Sequence, residues 1–269
     1  MNRGDDRSFS DLLEYIEQNM NFESGFYNDA YLDRRITARM RRTDHDDYKT
    51  YQRLLKSNPE EQELLLDSLS INVTGFFRNP EAWEKLREVL RDLTESNRRV
   101  NIWSAPSADG REPYSLAMLA LDDDDINQRR IDILGTDINP DILETARRGV
   151  YETSQTSDIA EELEPLTDYS PYIDKDENRF EVRDRVKDLV TFEQHDLIRG
   201  ESKRDFDLVL CRNLLIYIDA SYKEPIFETI RKSLRDGGYL MIGMTETLPT
   251  VSREHFDPVH KKQRIYQRT

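Results

Sequence analysis

From residue 99 onward, short apolar runs alternate with amphipathic helical stretches, and this alternation constrains the fold more than any other feature of the chain. "VNIWSA" (100–105) reads as a buried strand, followed by a loop and a helix over 112–121. "IDILGTDI" (131–138) repeats the pattern, with Asn139-Pro140-Asp141 leading into a helix over 142–148. "FDLVLCRNLLIYI" (206–218) holds a third strand, then a helix over 221–234 and closing strands at 238–244 and 264–268. Strands that are apolar throughout and separated by helices form a parallel sheet covered on both faces. The polar stretch 150–190 interrupts this rhythm. Within it "RFEVRDRV" (179–186) alternates at period two, the pattern of a half-exposed antiparallel strand.

The first 80 residues follow a different period. Phe9, Leu12, Leu13 and Ile16, then Leu32, Ile36 and Met40, then Leu64, Leu65 and Leu69 recur at helical spacing. Ser57-Asn58-Pro59-Glu60 is a helix-start signal, with proline and acids in the first turn. The predicted organisation is a helical domain with its linker over 1–80 and an α/β domain over 81–269. The α/β domain carries a small β insertion at about 155–190.

Composition narrows the function. The 269 residues include 54 Asp+Glu against 39 Lys+Arg, a formal charge of −15, which disfavours nucleic acid as a partner because phosphates would be repelled. A single cysteine excludes a disulfide framework and a multi-cysteine metal site, so no metal is expected. No apolar run approaches the ~18 residues of a membrane span, and the start lacks a signal-like segment, so a cytoplasmic protein without membrane insertion is expected. Asp (30) exceeds Glu (24) and Arg (29) exceeds Lys (10). Such a surface suits a salt-crowded cytoplasm of the kind halophilic archaea maintain, although an ordinary acidic protein remains the plainer reading.

In an open α/β sheet, ligands bind at the carboxyl ends of the strands. The loop after the first strand, "APSADGREPYS", has one glycine, so the dinucleotide fingerprint is absent. Glu112 near the start of the following helix suits a cationic group better than a diphosphate. Asp137 ends the second strand, where an acid can accept both hydroxyls of a ribose; it could equally cap the helix beginning at Asn139-Pro140. Together the two loops describe a site for a nucleoside without phosphates, S-adenosylmethionine. Asn213 and Leu214 could line the same cleft, although Asn213 could simply be a turn residue. "NVTGFFRNPEAW" (72–83) offers an aromatic wall in Phe76, Phe77 and Trp83 and a polar edge in Asn72, Thr74 and Arg78, or else an interdomain core.

Four segments in order, "NVTGFFRNPEAW", "WSAPSADGREPYSLAM", "GTDINPDILETARRGVY" and "FDLVLCRNLLIYID", resemble the CheR family of chemotaxis receptor glutamate O-methyltransferases. The resemblance implies a class I, Rossmann-like S-adenosylmethionine-dependent methyltransferase fold with an all-helical N-terminal domain and a small antiparallel β insertion. It implies methyl transfer from S-adenosylmethionine to receptor glutamates, with S-adenosylhomocysteine as product. Asn72, Thr74 and Arg78 would then contact the cofactor or the reacting carboxylate. Glu112 would hold the methionine ammonium, Asp137 the ribose, and Asp196 and Leu197 the adenine. Asn213 and Leu214 would complete the pocket, and Tyr217 would stand near the transferred methyl. The loop departs from the family's usual Gly-Cys-Ser-Thr-Gly-Glu-Glu: Pro106 replaces the first glycine and Arg111 the first acid. Beyond receptor methylation, the residues leave open a class I methyltransferase with another substrate, or a non-catalytic scaffold.

The most uneven charge is "RRITARMRR" (34–42), five arginines in nine residues without an acid. At helical spacing Arg35, Arg39 and Arg42 share one side. Two readings compete: ion pairs within the chain, or docking on the glutamate-rich helices of chemoreceptors, which the resemblance implies for the helical domain. A monomer recruited to receptor arrays is expected. The insertion lacks the glycines of members that grip a receptor tail, which suggests a tail-independent enzyme.

Overall fold

Helix starts are set locally in the first part of the chain. The helices are α1 (Arg3–Asn19), α2 (Asp29–Arg42), α3 (Tyr48–Ser57) and α4 (Pro59–Leu69). Asn28 accepts the Tyr31 N–H at 2.9 Å, Asp47 that of Thr50 at 2.9 Å, and Asn58 that of Glu61 at 3.1 Å. Each of these side chains satisfies a donor that the helix cannot. The start expected at Ser57-Asn58-Pro59-Glu60 falls at α4, with Pro59 its first residue.

The computed structural model describes residues 3–20, 22–69, 74–154 and 157–269, with side chains from Arg7 onward. The chain divides into two units, 1–71 with 217–223, and 72–216 with 224–269. In the helical unit, Leu12, Ile16, Leu32, Ile36, Tyr51, Leu55, Leu65 and Leu69 are fully buried. Residues 217–223 join this unit through an antiparallel bridge between Tyr27 and Ile218 and an edge contact of Tyr222 on Phe26.

The basic helix corrects one expectation. Arg39, expected on the exposed face, is 9% exposed. Its guanidinium forks onto Glu61, with Nε–Oε1 at 3.0 Å and Nη2–Oε2 at 2.5 Å, and the Tyr51 hydroxyl donates to the same carboxylate at 2.6 Å. The reason is geometric. Arg39 borders the buried stripe of Leu32, Ile36 and Met40, and Glu61 in the first turn of α4 offers it a charge. Burial pushes the Glu61 carboxyl upward, but the bonds from Arg39 and Tyr51 outweigh it and hold the carboxyl below its ordinary range. Arg35 is half-buried, with its guanidinium 5.5 Å from the Tyr31 ring. The fully exposed arginines of α2 are Arg34, Arg41 and Arg42.

The second unit begins with α5 (Pro80–Ser96), β1 (Val100–Ser104), α6 (Arg111–Asp122), β2 (Ile131–Asp137) and α7 (Pro140–Arg148). Next come β3 (Val150–Glu152), α8 (Ile159–Glu162), β4 (Ile173–Asp176), β5 (Arg179–Val182) and α9 (Asp184–Lys187). It ends with β6 (Val190–Gln194), β7 (Phe206–Cys211), α10 (Ala220–Ser233), β8 (Leu234–Ile242), β9 (Phe256–His260) and β10 (Ile265–Arg268); the first four residues of α10 belong with the helical unit. The main sheet has the order β6-β2-β1-β7-β8-β10-β9. Its first five strands are parallel, and β10 runs antiparallel to both β8 and β9. The chain winds outward from β1 through β2 to β6, then returns to the other side of β1 with β7. The order therefore reverses between β1 and β7, the place where such sheets bind ligands.

A separate antiparallel sheet, β3-β5-β4, forms the insertion. Within the insertion only β5 is named from the sequence, β3 being short and β4 short and polar, and in the main sheet two strands are not. β6 at the sheet edge alternates in burial, and β9 carries Pro258; neither has a continuous apolar run. Phe192 on β6 pairs in register with Gly135 on β2, and a Cβ on Gly135 would sit 2.7 Å from the Phe192 ring. The same ring limits Gly110, where a Cβ would lie 3.0 Å from it and where φ is +90°.

Candidate active site

The two loops expected to bind the ligand meet through Asp137. Its Oδ2 accepts the Ala108 N–H at 3.0 Å and its Oδ1 the Asn139 N–H at 3.0 Å. Asp137 therefore ties the loop after β1 to the loop after β2. The cap of α7 is Asn139, whose Oδ1 accepts the Asp141 N–H at 2.9 Å, so the capping alternative for Asp137 is closed. Burial pushes the Asp137 carboxyl up, against the N–H groups that favour its ionised form. In the first loop the Ala105–Pro106 peptide is cis, the Ser107 N–H donates to Thr136 O at 2.8 Å, and Gly110 precedes α6.

Glu112 lies in the first turn of α6 and is 9% exposed. Its Oε1 accepts from Ser104 Oγ at 2.9 Å, and its Oε2 pairs with Arg212 Nη1 at 3.2 Å. Burial pushes its carboxyl up; Arg212, Ser104 and, more weakly, Arg78 oppose that. Arg212 is the residue the sequence reading missed. Its side chain is 2% exposed, and Nη2 donates to Arg78 O at 2.7 Å and to Asn79 Oδ1 at 3.2 Å. Its guanidinium lies 5.5 Å from the Trp83 ring. A usable signal existed, because an arginine directly after a buried strand must find a charge partner.

The segment after residue 73 is held by its backbone. Trp83 Nε1 donates to Arg78 O at 3.0 Å, and the Phe77 N–H donates to Ser115 Oγ at 3.0 Å. Phe77 and Asn79 have φ of 46° and 64°, conformations uncommon without glycine. Phe76 and Phe77 are buried, Phe76 edge-on to Tyr151 and Phe77 to Trp83. These clamps fix the backbone from which the Arg78 side chain projects. Thr74 lies at the start of the described segment, and Asn72 lies outside the described residues.

After β7 the chain turns at Asn213, with φ 60°, around a second residue the sequence reading missed. Glu246, 3% exposed, accepts N–H groups from Asn213 at 3.0 Å, Leu215 at 2.7 Å and Gly243 at 2.6 Å. Burial still pushes its carboxyl up against those donors. Asp196 Oδ1 accepts from the N–H groups of Ile198 at 2.8 Å and Arg199 at 3.0 Å, forming a tight turn that leaves Leu197 buried. The His195 N–H donates to Asp137 O at 3.0 Å, joining this turn to the end of β2. Tyr217 stands in the helical unit, its ring 4.8 Å from that of Tyr31.

The unit thus sets Glu112, Asp137, Asp196, Leu197, Asn213 and Leu214 at or just beyond the carboxyl ends of β1, β2, β6 and β7, with Asp137 the last residue of β2 and Glu112 in the first turn of α6. Its donor set fits a nucleoside with a charged amino-acid tail. Glu112 is a buried carboxylate with one cationic partner, Asp137 accepts two N–H groups, and the buried Ser107 Oγ makes no hydrogen bond with any described residue. A mixed sheet of this winding, with acids after β1 and β2, an all-helical N-terminal unit and a small antiparallel sheet, defines a class I S-adenosylmethionine-dependent methyltransferase.

The comparisons carry the assignment to a family. Residues 72–265 match the family described as CheR methyltransferase, SAM binding domain, and residues 7–70 match CheR methyltransferase, all-alpha domain. A "Chemotaxis protein methyltransferase" of Listeria monocytogenes is 30% identical over 87% of each chain. A "Probable chemotaxis protein methyltransferase" of Rhizobium etli is 35% identical over 72% of this chain and 75% of that one. A third, "Chemotaxis protein methyltransferase 1" of Vibrio cholerae, is 32% identical over 68% and 67% of the two chains. The chain belongs to the CheR methyltransferase family.

Proposed function

We propose that the protein methylates glutamate side chains of chemoreceptors, forming methyl esters that adjust sensory output. The observation that carries this reading is the position of Arg78. Its backbone is clamped by Trp83 and Arg212, and its charge acts on the buried Glu112. A cation whose field reaches the carboxylate assigned to the methionine ammonium would hold a substrate carboxylate near the transferred methyl.

Bound S-adenosylmethionine supplies a methyl group made electrophilic by its sulfonium. Glu112 would hold the methionine ammonium and Asp137 the ribose hydroxyls, with Thr74 and Asn72 beside them. Asp196 and Leu197 would flank the adenine, and Asn213 and Leu214 would close the pocket. Arg78 would orient the substrate carboxylate. A glutamate with a pKa of about 4.3 is ionised at neutral pH, so the chain needs no general base. The protein's contribution is alignment and exclusion of water, effects worth up to about 7–11 kcal/mol in model systems.

The exposed Arg34, Arg41 and Arg42 of α2, with the half-buried Arg35, would meet a glutamate-rich helix of the receptor. The enzyme would act as a monomer at cytoplasmic receptor arrays. Among the described residues, no helix is long and apolar enough to cross a membrane. The Asp-rich, Lys-poor composition would be an adaptation to a concentrated salt cytoplasm such as that of a halophilic archaeon.

The test is transfer of labelled methyl to a receptor cytoplasmic fragment, with the label released as methanol by base. Label that resists base, or none on the fragment, overturns the glutamate reading.

A further inference from the structure

Glu162, the last residue of α8 in the β insertion, touches two separate parts of the site. Its Oε2 accepts the Phe76 N–H at 2.8 Å, two residues before Arg78 in the chain. Gly75 lies so close that a Cβ there would be 3.3 Å from the Glu162 carboxylate. Both Glu162 oxygens also take the Arg111 guanidinium, at 3.3 and 3.2 Å, and Ser157 Oγ donates to Oε1 at 2.6 Å. Arg111 in turn pairs with Asp109 at 3.0 Å, in the loop whose Ala108 N–H is held by Asp137. Arg111 stands where the family usually has an acid, and an acid there would repel Glu162. The arginine and the glutamate form one device.

We propose that Glu162 is a positioning residue for methyl transfer. Through Phe76 it sets the backbone that presents Thr74 and Arg78, and through Arg111 it braces the cofactor loop. The insertion is thereby a structural arm of the active site. The proposal rests on the methyltransferase reading above for the role of Arg78.

The experiment compares Glu162→Gln, Glu162→Ala, Arg78→Ala and the double variant Arg78→Ala/Glu162→Ala. It measures methyl transfer to a receptor fragment, S-adenosylhomocysteine affinity by calorimetry, and melting temperature. Glutamine keeps one acceptor oxygen for the Phe76 N–H while losing the charge that faces Arg111, and stays within about threefold of wild type in kcat because the bond that sets the Arg78 backbone survives. Alanine lowers kcat about 10- to 100-fold, the scale of an ångström-sized displacement at a reacting centre, and weakens S-adenosylhomocysteine about fivefold. In the Arg78→Ala background the further kcat loss from Glu162→Ala disappears, because the residue it places is gone.

Additive losses in that cycle overturn the proposal. So does an alanine variant that melts lower but turns over normally at temperatures where it is folded, or a glutamine variant as poor as alanine. If the wild-type chain binds S-adenosylhomocysteine but leaves the receptor unmethylated, the substrate reading fails. The binding arm then still decides the role of Glu162: unchanged affinity in Glu162→Ala overturns it, and a fivefold loss restored by glutamine upholds it.

Discussion

Replacing Arg212 with methionine isolates the charge at the centre of the site, because methionine keeps an unbranched apolar stem against Trp83. The variant loses the pair to Glu112 and both donations from Nη2, to Arg78 O and Asn79 Oδ1. Breaking a buried ion pair on one side costs about 3–5 kcal/mol, since the other charge stays buried. For a domain of this size each kcal/mol corresponds to about 2–4 °C, so the melting temperature falls by roughly 6–20 °C. The deficit depends on pH in a definite sense. Burial already pushes the Glu112 carboxyl up, and losing Arg212 removes the main opposing charge. A carboxyl whose folded pKa lies above its unfolded value carries no penalty while it is protonated in both states. The penalty grows as pH rises through the folded pKa. The gap between variant and wild type is therefore smallest at acid pH, where the carboxyl is protonated in both states, and widens as pH rises. Thermal melts followed by circular dichroism at constant ionic strength measure it. A deficit under about 2 °C, or one that does not change with pH, refutes the claim that Arg212 offsets the burial of the Glu112 carboxyl.

Asp137→Ala weakens S-adenosylhomocysteine by about 1.5–3 kcal/mol in calorimetry while the fold persists; unchanged affinity removes Asp137 from the ribose site. Arg78→Ala lowers methyl transfer much more than it weakens S-adenosylhomocysteine, and equal losses in both assays place Arg78 in the cofactor shell instead. Reversing Arg34, Arg41 and Arg42 to Glu leaves the melting temperature nearly unchanged and lowers receptor methylation most at low salt; normal methylation at every salt refutes docking by this face. Arg39→Met behaves differently, lowering the melting temperature without a salt-dependent defect. Pairing it with Glu61→Leu and Tyr51→Phe recovers much of the loss, because both ends of the buried pair and the hydroxyl that donates to it then become apolar.

The strands at the centre of the sheet were legible where they are largely apolar: β1, β2 and β7 lie within runs visible in the sequence, and the run at 238–244 marks only the second half of β8, whose first half carries Arg235 and Asp236. β6 and β9 were not legible, since an edge strand needs only one buried face and Pro258 weakens the strand signal further. The candidate site was legible where an acid ends a strand, as at Asp137, or opens the helix that follows one, as at Glu112. It was illegible where a partner lies far off in sequence. Glu112 and Arg212 are a hundred residues apart, and Asn213 and Glu246 are thirty-three apart. Spacing along one helix also misled at Arg39, because periodicity reports which residues share a face and says nothing of an acid on a helix further along the chain. The identity of Glu61 as that acid depended on how α4 packs on α2.

Phe192 joins three positions into one inherited unit. Its ring occupies the space left by two missing side chains, at Gly135 beside it in the sheet and at Gly110 before α6. Of the two, Gly135 alone is constrained only by space, since Gly110 also needs its left-handed backbone. A descendant sequence could therefore exchange Gly135 for alanine only together with a smaller residue at 192, and either change made first would pass through a damaged intermediate. An overpacked core costs about 1–3 kcal/mol, and an emptied aromatic site about 3–5. The edge strand that looks least essential in the sheet thus restricts the evolutionary paths open to the cofactor loop, and aromatic character at 192 should travel with glycine at 135 through related sequences.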